Sequence, residues 1–89
     1  MTKKQLEREL EPQFVYTYEY DGLTDALEER LQGLLNELEV QDRLVITSQS
    51  SGPAWGAALT FTGRDQQETR NAAITAALWI QRHRGKVTP

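Results

Sequence analysis

Cysteine is absent from this 89-residue chain, so neither a disulfide framework nor a thiolate metal site is open to it, and a reducing compartment suits it. Its longest apolar runs fall well short of the roughly 20 residues that cross a bilayer. The start, Met1-Thr2-Lys3-Lys4-Gln5, leads into charge and not into an apolar leader, so a cytoplasmic location without membrane attachment is expected.

Chemistry-bearing residues are just as sparse. His83 is the single histidine, Arg82 and Arg84 flank it, and no neighbouring acid is placed to orient it for proton transfer. Ser48, Ser50 and Ser51 lack the surroundings of an activated nucleophile, and Ser51-Gly52-Pro53-Ala54-Trp55-Gly56 lacks the Gly-Lys-Ser/Thr ending of a phosphate loop. Asp25 and Glu29 stand four apart on a helix, but two carboxylates without further ligands make a solvated face more often than a cation site. No catalytic residue, metal ligand, cofactor or small-molecule substrate is therefore expected, and the chain does not read as an enzyme.

What is present is a charge split and a clear alternation of apolar residues. The net charge is −3, yet residues 1–42 hold eleven acids against four bases and residues 43–89 hold six bases against two acids. Such halves attract each other within one fold, or between copies. A surface of acids on the first long helix would also imitate nucleic-acid phosphates, with charge as its only support. Eighty-nine residues make one domain that buries only about three fifths of its unfolded surface, so a partner would add useful burial.

The element pattern follows from periodicity. Thr2 to Glu11 is a possible short helix, with Leu6 and Leu10 four apart and Pro12 ending it. Gln13 to Tyr20 alternates as a strand, with Phe14, Tyr16, Tyr18 and Tyr20 on the face expected to line the core and their hydroxyls at a wet rim. Asp21-Gly22 gives a turn. Thr24 caps a helix through about Glu39 whose stripe is Ala26, Leu27, Leu31, Leu34, Leu35 and Leu38. Gly33 lies off that stripe, marking either a close backbone contact or nothing. Asp42 to Thr47 is a second strand. Ala54 to Thr62 is a third, with Trp55, Ala57, Leu59 and Phe61 on one face. Asp65 and Glu68 hold the N-cap and N3 positions of a last helix through about Arg84, with Gly85 ending it.

These elements imply an α+β fold. The expected form is β-α-β-β-α, a three-stranded mixed sheet in the order 1-3-2, with both helices on one face. Residues 13–85 form the domain, 1–12 an N-terminal arm or short helix, and 86–89 a tail. The open face would carry Val15, Thr17, Glu19, Val45, Thr47, Gly56, Ala58, Thr60 and Thr62.

Function is then expected from surfaces. On the last helix Ala73, Ile74, Ala77 and Ile80 point to the sheet and Leu78 widens that face, while Ala72, Ala76 and Trp79 form a second apolar stripe. Either the first helix covers this second stripe or another chain does. Ala72, Ala76 and Trp79 are accordingly the candidate contacts of a small non-enzymatic interaction or regulatory protein, acting on a protein partner or as a homodimer. The alternative is a nucleic-acid or phosphate-binding module using Arg64, Arg70, Arg82, Arg84 and Lys86, though bases in a last helical turn also complement the dipole.

Overall fold

The computed structural model describes residues 13–50 and 56–88. The N-terminal helix over Thr2 to Glu11, the loop residues Ser51 to Pro53 and the head of the third strand, Ala54 and Trp55, lie outside the described residues. The elements are β1 (Phe14–Asp21), α1 (Asp25–Asp42), β2 (Val45–Ser50), β3 (Gly56–Gly63), α2 (Gln66–Arg82) and β4 (Lys86–Thr88).

The sheet has four strands in the order β2-β3-β1-β4, where three in the order 1-3-2 were expected. β3 lies between β1 and β2, and the added strand comes from residues read as a tail. Lys86–Thr88 pairs with β1 through Glu19↔Thr88, Tyr20↔Val87 and Asp21↔Lys86. Three residues with one inward side chain are too short to show alternation, which is why this strand escapes a sequence reading. Nor is the sheet mixed. Every ladder is antiparallel, because β1 and β2 run in the same direction but never touch.

Register sorts the two faces. The inner rows set Tyr16, Phe61 and Ile46 side by side, then Tyr18, Leu59 and Ser48, then Tyr20 and Ala57. Both helices pack on this face, and Leu31, Leu35, Leu38, Leu59, Phe61 and Ile80 belong to one buried cluster. Two of the three tyrosine hydroxyls, those of Tyr18 and Tyr20, find protein partners and not a wet rim. Tyr18 donates to the carbonyl of Ala73 at 2.9 Å, and Tyr20 donates to Glu28 at 2.7 Å. The outer rows are Val15-Thr62-Val45, Thr17-Thr60-Thr47 and Glu19-Ala58-Gln49, and among the described residues no helix covers them.

The helix starts obey their caps. Thr24 accepts from the Leu27 amide at 3.3 Å and Asp65 from the Glu68 amide at 2.8 Å, each satisfying a donor that the first turn leaves open. α1 runs to Asp42 and stops at Arg43, which takes the left-handed conformation with φ 52°, so β2 starts later than the sequence suggests. α2 ends in a Schellman turn: the Arg84 amide reaches the Gln81 carbonyl at 3.1 Å and the Gly85 amide reaches that of Ile80 at 2.8 Å. The left-handed residue of this turn is Arg84, with φ 69°, and not Gly85.

Candidate functional site

α2 connects the central strand β3 to the edge strand β4, and its orientation decides which surface is free. Its buried residues are Thr69, Ala72, Ala73, Ala76 and Ile80, an arc displaced by roughly a quarter turn from the face inferred from periodicity. Ala72 and Ala76 are 1% and 0% exposed, with α1 packed against α2. Two alanines one turn apart let helices approach closely, so this chain's own helix closes the second stripe. Of the three candidate contacts only Trp79 reaches the surface. It is half-buried, stacks on His83 with centroids 4.0 Å apart, and lies 6.0 Å from the Arg30 guanidinium of α1. His83 is held in turn by Nδ1–H, which donates to the Trp79 carbonyl at 2.8 Å.

The same rotation turns out two residues that were expected to face the sheet or its flank. Ile74 is 43% exposed and Leu78 49%. They stand one turn apart on the outer flank of α2 and so form a continuous apolar strip.

Beside this strip lies an apolar groove of about 260 Å³. Its helix side is Ala73, Ile74 and Ala77, its strand side is Tyr16, Thr17 and Tyr18, and Val87 and Arg70 also border it. Consecutive residues of a strand point to opposite faces. A groove touching Tyr16, Thr17 and Tyr18 therefore follows the edge of β1, where the backbone lies, as well as its inner face. β4 covers that edge only from Glu19 to Asp21; among the described residues no strand pairs with the edge from Phe14 to Tyr18.

The basic candidates do not converge. Arg82, Arg84 and Lys86 are exposed around the end of α2 and the start of β4, and Lys86 sits opposite Asp21. Arg70 borders the apolar groove. Arg64 precedes α2, a 17-residue helix about 25 Å long, so it lies at the far end of the molecule from Arg82. It lines a polar cleft of about 470 Å³ together with Arg43, Asp42, Asp65 and Glu68, where acids and bases offset each other. Among the described residues no three histidine, aspartate or glutamate side chains group as metal ligands, and no helix is long and apolar enough to cross a membrane.

No protein-family model matches the sequence, and no curated protein matches it either. The geometry alone therefore directs attention to the outer flank of α2 and the adjoining edge of β1.

Proposed function

We propose that this is a small non-enzymatic interaction or regulatory protein that works by contact with other proteins through the outer flank of α2. One observation carries this reading: two large aliphatic residues, Ile74 and Leu78, stand exposed one turn apart beside an apolar groove. Large apolar surface grouped in this way marks contact sites more often than scattered exposed residues do. The dispersal of Arg64 before α2, Arg70 on its early turns and Arg82 at its end supports a protein partner over nucleic acid, which needs bases aligned along one track.

Self-association is the simplest form of this function. Sedimentation equilibrium over a range of micromolar concentrations tests it on wild type and Leu78→Asp. A dimer that becomes a folded monomer in the variant, with an unchanged circular dichroism spectrum, supports the flank as a self-contact. A concentration-independent wild-type monomer removes self-association and leaves a different protein as the partner. Salt-sensitive binding of random oligonucleotides, with no apolar association of any kind, would overturn the proposal in favour of the basic residues.

A further inference from the structure

We infer that the groove beside β1 receives a lone extended segment of another protein, which adds to the sheet as a strand in line with β4. This rests on the protein-binding reading above and specifies the partner's form. Along Phe14 to Tyr18 the β1 edge meets no strand among the described residues, and alternate residues of such an edge hold N–H and C=O groups ready for a ladder. Val87 already occupies this line one step further on, opposite Tyr20, so a guest strand continues a row that the fold has begun. The space above that row is apolar and is kept open by two small residues, Ala73 and Ala77. Main-chain hydrogen bonds would hold the guest, and the groove would select apolar side chains at every second position.

The fold disfavours a second copy pairing through its own β1. α2 contacts both β1 and β4, so it lies above this edge. A second β1 would bring its own α2 into the same space, and packed helix axes need about 8–10 Å where neighbouring strands are only about 4.8 Å apart. A single extended segment carries no helix.

Charge sets one end of the guest. The chain leaves β3 at Gly63, opposite Phe14, so the early residues of α2 lie toward the start of β1, and Arg70 borders the end of the groove away from Val87. Arg70 is exposed, and among the described residues no acid pairs with it. The guest segment is therefore one of alternating apolar residues with a carboxylate, from a side chain or a chain terminus, where it meets Arg70.

The test uses the full chain. Peptides of ten residues are selected on it from a random displayed library, and the tightest is titrated into isotope-labelled protein followed by NMR. The expected result is an enrichment of alternating apolar sequences with an acid near one end, and amide shifts from Phe14 to Tyr18. Methylating the peptide nitrogens that face β1 removes buried hydrogen bonds and weakens binding roughly tenfold or more. Methylating the alternate set changes it by no more than about twofold, because those nitrogens face solvent. Ala77→Trp, which fills the groove from a half-buried position, abolishes the shifts, and Arg70→Glu turns the preference from acidic to basic peptide ends.

Four results would overturn the inference. One is a selection that yields no binding peptide. Equal binding by both methylated sets, or shifts that fall on Leu78 and Trp79 and leave β1 unmoved, are two more; in either case protein binding stands and strand addition fails. The fourth is protection from hydrogen exchange, without peptide, at those amides between Phe14 and Tyr18 that point away from β3, concentration-dependent if a second copy covers them and independent of concentration if the chain's own residues do.

Discussion

Gly33 stands on α1 with open space where a Cβ would be. The sequence leaves two readings of this glycine, and the structure selects the one without a close contact. Gly33→Ala should then raise stability by about 0.5–1 kcal/mol, by restricting the unfolded chain and improving helix propensity, read as a higher urea midpoint with an unchanged slope. Tyr18 gives a pH-dependent case. Burial raises its phenol above the ordinary range, and burial assisted by the Glu28 carboxylate does the same for Tyr20. A folded pKa above the unfolded one gives stability that is complete below about pH 10 and lost as pH climbs through the folded value. The urea midpoint should hold steady from about pH 7 to 9 and fall beyond about pH 10. Tyr18→Phe should flatten that fall, at a cost of about 1 kcal/mol at neutral pH for the hydrogen bond to the Ala73 carbonyl.

Among the elements, the helix starts were legible because a cap is written locally: Thr24 and Asp65 each act on an amide three residues on. The ends were less so. Gly85 marks the end of α2, yet the left-handed position falls to Arg84, while Gly85 is needed because a Cβ there would collide with Cγ2 of Ile80 and approach Leu23 to 3.1 Å. Arg84→Gly should stabilise the fold by about 0.5–1 kcal/mol, and Gly85→Ala should destabilise it by about 1–3 kcal/mol. Chemical denaturation checks both, and opposite signs at adjacent positions separate backbone conformation from space. The facing of α2 was misjudged for a different reason. Periodicity weights Ile74 and Leu78 as core because they are large, but the surface that meets α1 needs small residues, and Ala72 and Ala76 supply it. Size at a helix contact depends on the neighbour, which one helix's sequence does not contain.

For the molecule as a whole, the inner and outer faces of the sheet make opposite demands. Phe61 is fully buried, whereas Val15 on the outer face is 58% exposed. Phe61→Ala should cost about 3–5 kcal/mol, a large share of the about 5–15 kcal/mol typical of a domain, and Val15→Thr should stay within about 0.5 kcal/mol. Urea unfolding compares them; a large loss from Val15→Thr would mean that the outer face is covered. Alternation made these faces readable, and the aromatic row from Phe14 to Tyr20 fixed which side was core. Strand order beyond the first three was not readable, since it depends on the pairing of Val87 with Tyr20, a contact between residues far apart in the chain. That pairing also bears on how the protein is made. Both neighbours of β1 are synthesised after it, so Phe14 waits for Gly63 and Tyr20 for Val87. While the ribosome extends the chain, its most aromatic strand has no ladder to join. The nascent tyrosine row thus stays open to chaperones or to neighbouring chains until β3 emerges.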